Sequence, residues 1–322
     1  MREPHLILGI GEMLWDIIPE KFASTGVPIE GISSKGFLGG APTNFTVMAG
    51  RLGNHAAILS RIGRDSLGGL AIDQLDPMPV DTSRLEVDLA HETGRVTVNF
   101  LDGEPQYTIH KPAAWDFMEL TDEWVTLAER ADAICFGSLA QRSQESRRTI
   151  QTLAAQASAS CIRVFDANLR PPFYSSEVIE ESIELATVLK LNNDELPQVL
   201  SMLGLASEAD TNGEHLRLGA ERLLVEFPSL EMVAVTRGGR GSLLVRREEW
   251  NEHPGIAVKM SDPIGAGDAF TAAIVHYMLR RADLATLNEA GNRWGAWVAS
   301  QRGAMPVLPE EVRAAIAAAI ED

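Results

Sequence analysis

Short apolar runs alternate with longer stretches of helical period along most of the 322 residues. Ala133–Phe136, Arg163–Asp166, Val188–Leu191 and Met232–Thr236 read as buried strands. Ser143–Ala157, Asn193–Leu203 and Glu214–Glu226 carry apolar positions at helical spacing. Strand and helix in alternation predict βαβ units around a mostly parallel sheet. Leu6–Ile10, a helix from about Thr43 to Leu52, and Ala56–Ser60 extend the pattern toward the start of the chain. After Asp262 it reads as helical, over Gly265–Arg281, Leu284–Ser300 and Pro309–Ile320. One segment departs from the rhythm. In Gly94–His110 two alternating β-rich stretches flank Asp102-Gly103, a dipeptide suited to a tight hairpin turn. Gly26–Gly36 is loop-like, and the two regions together predict a small β-rich flap over the main sheet.

Charge narrows the partners. The chain has 28 Lys and Arg against 45 Asp and Glu, a net −17, and no basic segment interrupts it. Such a surface repels phosphodiester backbones and anionic lipid, which argues against nucleic-acid and membrane roles. A local arginine or a helix N-terminus can still reverse the field inside a cleft. Cys135 and Cys161 sit in apolar runs without partners at metal-ligand spacing and read as buried thiols. No basic n-region precedes the first strand and no apolar run approaches the ~18 residues of a membrane span, so the expected compartment is the cytoplasm.

The segment Ser261–Leu279 carries the most chemistry. Gly265, Ala266 and Gly267 lead into a long helical pattern with Asp268 in its first turn. Unpaired amides converge there, glycine lets a ligand approach the backbone, and the helix end favours negative charge, so a phosphoryl group could rest beside Asp268. The alternative is that Asp268 merely caps the helix. Leu38–Gly53 makes a second glycine-rich helix entrance, in which Asn44 offers a donor and an acceptor suited to a sugar hydroxyl. Asp166, Asn168, Arg170, Asn192 and Glu195 follow at strand ends, where open α/β sheets bind ligands. Their oxygens suit Mg²⁺ through water, although Asn192–Glu195 also reads as an ordinary acidic helix start. The phosphate-binding G-x-x-x-x-G-K-[ST], the protein-kinase signatures and G-x-S-x-G are all absent.

Leu38–Gly53 paired with Asp262–Ala272 resembles the two signature regions of ribokinase-like (PfkB) carbohydrate kinases, in order and separation. Segments 61–69, 192–195, 235–244 and 302–309 are similar to further family stretches. The resemblance implies a single three-layer α/β/α domain over residues 1–322, with a small β lid from about 12–38 and 94–110. The implied reaction moves the ATP γ-phosphate to a sugar hydroxyl. It implies Asp268 as base, Gly265, Ala266 and Gly267 as anion hole, and Asp16, Gly40, Asn44 and Arg170 at the sugar. Asn192, Thr236, Gly238, Gly241 and Gly267 would meet ATP, and Asn192 with Glu195 would organise Mg²⁺ through water. Asp262 opens the loop that often touches K⁺ in the family. Here Pro263 replaces the usual Thr and offers neither hydroxyl nor N–H.

The opening Gly11–Pro19, the Gly-Gly-Ala-Pro turn and the stretch 165–174 resemble bacterial fructokinases, which points first to fructose. Arg170 points second to 2-keto-3-deoxygluconate, whose carboxylate an arginine suits by bidentate pairing. A catalytically inactive sugar- or nucleotide-binding protein is the reading from another class, against which Asp268 stands intact. A dinucleotide-binding oxidoreductase would need a third glycine after the first strand, and Gly9–Asp16 lacks it. Val96, Val98 and Phe100 alternate along the lid and predict an exposed apolar face that a homodimer would cover.

Overall fold

The computed structural model describes residues 4–20, 26–29, 34–101, 104–206 and 213–321. In chain order its strands are β1 (Leu6–Ile10), β2 (Leu14–Pro19), β3 (Val27–Pro28), β4 (Ser34–Gly39), β5 (His55–Leu59), β6 (Arg61–Gly63), β7 (Glu86–Asp88), β8 (Gly94–Leu101) and β9 (Glu104–Ile109). There follow β10 (Ala133–Gly137), β11 (Ile162–Asp166), β12 (Val188–Asn192), β13 (Met232–Thr236), β14 (Ser242–Val245) and β15 (Trp250–His253). The helices are α1 (Ala41–Arg51), α2 (Ser66–Leu75), α3 (Asp122–Arg130), α4 (Gln144–Gln156), α5 (Ser176–Leu185), α6 (Glu195–Met202), α7 (Gly213–Glu226), α8 (Ala266–Met278), α9 (Leu284–Ser300) and α10 (Glu310–Glu321).

Eight strands form the central sheet in the order β15-β14-β13-β12-β11-β10-β1-β5. From β5 to β13 the pairs are parallel, and β14 and β15 add an antiparallel edge. Parallel strands buried on both faces require near-continuous apolar runs, and β1, β10 and β13 supply them. One face packs on α3 to α7 through residues such as Phe136, Phe165 and Leu189. The other packs on α1, α8, α9 and α10 through Phe45, Phe270 and Trp294. This is the expected three-layer α/β/α architecture. No helix among the described residues is long and apolar enough to cross a membrane.

Helix entrances separate structural ends from open ones. Asp65, Thr121, Ser143, Ser175 and Asp283 each cap a helix by accepting a backbone amide on the side chain. Helices α1 and α8 start instead on Gly40 and Gly265 without a side-chain cap. No N-cap side chain takes their first amides: that of Ala41 meets Glu12 Oε1 and that of Ala266 meets the Pro263 carbonyl. Helices α2, α3 and α5, of 9 or 10 residues, add to those expected from the sequence.

The β-rich flap is a five-stranded sheet, β3-β4-β2-β8-β9. The register Leu101↔Glu104 leaves two residues between β8 and β9, and those two, Asp102 and Gly103, lie outside the described residues. The expected loop Gly26–Gly36 is partly strand, because β3 pairs with β4 and β4 with β2, so the ladder overrides local composition. The expected exposed face needs correction. Val96 and Val98 are 5% and 3% exposed within the single chain, Val96 packing into the cluster that holds Leu14 and Trp115. The Phe100 side chain lies outside the described residues. Two of the three residues offered for pairing lids are therefore already covered.

Candidate active site

Parallel strands end together, so residues far apart in sequence meet at one edge. Glu12 follows β1, Ser138 follows β10, Asp166 ends β11, and Lys190 and Asn192 close β12. This edge is where an open α/β sheet presents a crevice, and α1 and α8 direct their uncapped starts at it. A cavity opens there, lined by Glu12, Ser138, Asp166, Asn168 and Asp268 among others.

Backbone conformation explains both glycine entrances. Gly40 has φ 108° and Gly265 φ 81°, in the left-handed region that side chains rarely adopt. A Cβ at Gly40 would lie 2.3 Å from the Glu12 carbonyl oxygen, and one at Gly265 would lie 2.6 Å from that of Ala304. Neither position accepts a side chain. In the next turn Asn44 Nδ2 donates to Asp268 Oδ2 at 2.8 Å, joining the two helix starts across 224 residues of sequence. Asn44 was expected to hold a sugar hydroxyl; the structure shows it donating to the candidate base, with its buried Oδ1 left without a hydrogen-bond partner.

Electrostatics follow from burial among like charges. Burial above all, with the Asp166 carboxylate adding to it, raises the Asp268 pKa to about 6, while Lys190, the Asn44 hydrogen bond and Arg170 work the other way. Burial likewise raises Asp16 to about 6, opposed by Arg170. Glu12 is lifted to about 7, chiefly by burial and partly by Asp268. Asp16, at the middle of β2, and the exposed Arg170 are thus both within electrostatic reach of this edge.

Lys190 escaped the sequence reading and occupies the centre. Its Nζ lies 3.0 and 3.1 Å from the two Asp166 oxygens, and a Cβ placed on Gly267 would be 3.1 Å from it. Burial opposes its charge, but Asp166, Glu195 and Asp268 prevail and hold the ammonium above its usual range. The clue in sequence was a lysine in the β12 run Val188–Leu191, otherwise apolar. A lysine with a buried head group needs a reason.

Glu195 and Asn192 behave as a mutual clamp. Glu195 Oε1 accepts the Leu169 amide at 2.9 Å and Oε2 accepts the Asn192 amide at 2.8 Å, tying the turn after β11 to the end of β12. Asn192 Oδ1 accepts the amides of Asp194 and Glu195, so the helix-start reading of this stretch is also realised. Thr236 stands opposite Asn192 in the β12–β13 register, and Gly238 and Gly241 shape the turn that follows. Asp262 closes a loop: Oδ1 accepts the Ile264 amide at 3.0 Å and Oδ2 the Gly303 amide at 3.1 Å. Among the described residues no three His, Cys, Asp or Glu side chains cluster so as to hold a metal ion by themselves.

Comparison with known proteins agrees with this geometry. The model of the pfkB family carbohydrate kinases matches residues 5–311. A putative sugar kinase of Pyrococcus horikoshii is 29% identical over 307 residues, covering 93% of this chain and 91% of that protein. Probable fructokinase-7 of Arabidopsis thaliana is 28% identical over 322 residues, covering 94% and 90%. Among solved structures, the Pyrococcus horikoshii sugar kinase in complex with ATP superposes with a TM-score of 0.76 at 28% identity, covering 93% of this chain and 94% of that one. Fructokinase with bound ATP from Xylella fastidiosa gives 0.80 at 21% identity, covering 98% and 99%, a likeness of fold. With the match running through both glycine-led helix starts and Asp268 between them and the chain's end, the protein belongs to the pfkB family of carbohydrate kinases.

Proposed function

We propose that this sugar kinase phosphorylates a hydroxyl of a neutral monosaccharide, fructose first, at the cavity between α1 and α8. The observation that carries this reading is Asp268, half-buried, oriented by Asn44 and set one turn inside a helix whose start has no side-chain cap. The amides at Gly265, Ala266 and Gly267 suit the moving phosphoryl group, and Asp268 suits the proton of the attacking hydroxyl. Phosphoryl transfer is chiefly positioning and charge stabilisation, for which these groups with Lys190 suffice. Asp16, Gly40, Asn44 and Arg170 are assigned to the sugar; Asn192, Thr236, Gly238, Gly241 and Gly267 are assigned to ATP. Relatives such as the Arabidopsis protein are named fructokinase, which supports fructose ahead of 2-keto-3-deoxygluconate. The acidic lining of the cavity supports it too, since a substrate carboxylate would meet Glu12, Asp166 and Asp268.

Magnesium fits as an ion held mainly by the ATP phosphates. Both Glu195 oxygens already accept one amide each, so Glu195 and Asn192 would act on it through water. The ion would supply neutralisation of phosphate charge. Asp262 has both oxygens engaged in closing its loop and Pro263 lacks the hydroxyl oxygen of a threonine, so potassium is not assigned there. The five-stranded sheet is assigned as the lid, whose closure would exclude water from the transfer. Two buried free thiols, Cys135 and Cys161, suit the cytoplasm.

The test is ADP release, measured by a coupled assay over hexoses, ketodeoxy acids and nucleosides. Fructose is expected to give the highest kcat/KM. A preference for a ketodeoxy acid would move the assignment to Arg170 and a carboxylate, and no sugar-dependent ADP release would sink the reading. Glu195→Gln places an NH₂ against a backbone amide and removes a charge near the metal. The Mg²⁺ concentration for half-maximal rate should rise severalfold; an unchanged titration would leave Glu195 as a turn clamp alone.

A further inference from the structure

Glu12 is 3% exposed and belongs to no role assigned so far. Its Oε1 accepts the Ala41 amide, the first of α1, at 3.3 Å. Its Oε2 is buried and has no hydrogen-bond partner in the structure. The same holds for Asn44 Oδ1, whose amide nitrogen is taken by Asp268. Two acceptors are therefore left open at this sheet edge: Glu12 lines the cavity together with Asp268, and Asn44 joins Asp268 from α1.

Buried acceptors without donors are rare and costly, because each loses water without replacement. Of the donors at this edge, Lys190 is held by Asp166 and the Thr43 hydroxyl donates to the Glu12 carbonyl, while Arg170, which acts on Glu12 electrostatically, is exposed and hydrogen-bonds the Leu169 carbonyl instead. A bound molecule that satisfies the pair would bring donors. A sugar offers them as hydroxyls on neighbouring carbons, whereas a carboxylate would set acceptors against acceptors. Asp268 also accepts, and it is the group placed to take the proton of the hydroxyl that is phosphorylated. The open Glu12 oxygen is thus suited to a different hydroxyl of the same molecule.

We propose that Glu12 is a substrate-positioning residue: its Oε2 accepts a hydrogen bond from a sugar hydroxyl other than the one phosphorylated, and with Asn44 Oδ1 it selects a polyhydroxy end over a carboxylate. This rests on the kinase reading above. Above its raised pKa of about 7 Glu12 is ionised, and a charged hydrogen bond of this kind, assayed near pH 8, separates substrates that have the hydroxyl from those that lack it by about tenfold or more.

Glu12→Gln keeps the volume and can keep the Ala41 contact through its carbonyl oxygen, while the NH₂ replaces the open acceptor. The expected result is a sugar KM raised about tenfold or more, with kcat within about threefold and the ATP KM unchanged. A series of monodeoxy sugars then locates the contact. On the analogue lacking the hydroxyl that meets Glu12, wild type and variant should have equal KM, and on the others the tenfold gap should persist. A purely structural role would lower performance equally on every analogue, and that result, or an unchanged sugar KM, overturns the proposal. Should the glutamine variant fail to fold, Glu12→Asp keeps the charge but withdraws the oxygen by one methylene, and the same series is read on it. Wild-type turnover is the control. Its absence on all carbohydrates overturns the kinase reading together with this one, whereas wild-type turnover with an indifferent variant overturns this one alone.

Discussion

Asp268→Asn is expected to lose at least about 10²-fold in kcat while ATP binding, measured by calorimetry, stays near wild type. The amide keeps the shape and can accept from Asn44 as the carboxylate does at 2.8 Å, so the packing of α1 on α8 survives. What disappears is the acceptor for the substrate proton. Because burial raises the wild-type pKa to about 6, kcat/KM should also fall as pH drops below that value, an acid limb that the variant's residual activity should lack. Stability should move the other way. A carboxyl raised from 3.8 to about 6 on folding disfavours the native state above pH 6, and the penalty is relieved as pH falls through that window. The variant should therefore be more stable than wild type at pH 8, by at most about 3 kcal/mol, and no different near pH 4. Retention of more than a tenth of wild-type kcat would remove Asp268 from the role of base. Equal stabilities at both pH values would remove the burial argument.

The fold and the candidate base were legible because they rest on local signals. Val188–Leu191 and its sister runs announce parallel strands by composition, and Gly265–Gly267 before an apolar helix announces an open helix start. Partnerships across the sheet edge were not legible. Nothing in Leu38–Gly53 indicates that Asn44 donates to Asp268, or that Glu12 receives the Ala41 amide, because both contacts exist only once β1, α1 and α8 converge. Glu195 shows the same limit. Its spacing from Asn192 suggested a metal or a helix start, while the structure adds a third partner, the Leu169 amide, from the neighbouring strand's loop. The exposed lid face was misjudged for a related reason: alternation identifies which side chains share a face, but not that Val96 is already buried in the cluster that holds Trp115 within its own chain.

Lys190→Met is expected to destabilise the protein by about 3 to 5 kcal/mol and to lower kcat by at least about 10²-fold, and the two losses have separable causes. The stability loss comes from Asp166, which is 5% exposed at its side chain and would be left with a buried charge and no partner. The rate loss comes from the position of Nζ beside Gly267, where an ammonium can balance charge on a phosphoryl group held at the start of α8. A double-mutant cycle separates them. Asp166→Asn combined with Lys190→Met leaves no charge unpaired, so more than half of the lost stability should return in urea unfolding. The rate should not return. Asp166→Asn alone keeps an ammonium flanked by Glu195 and Asp268 and is expected to stay within about tenfold of wild-type kcat. If the double variant recovers rate together with stability, Lys190 serves only to neutralise Asp166. If Asp166→Asn alone falls as far as Lys190→Met, the pair acts as a unit and the ammonium cannot be assigned the phosphoryl group on its own.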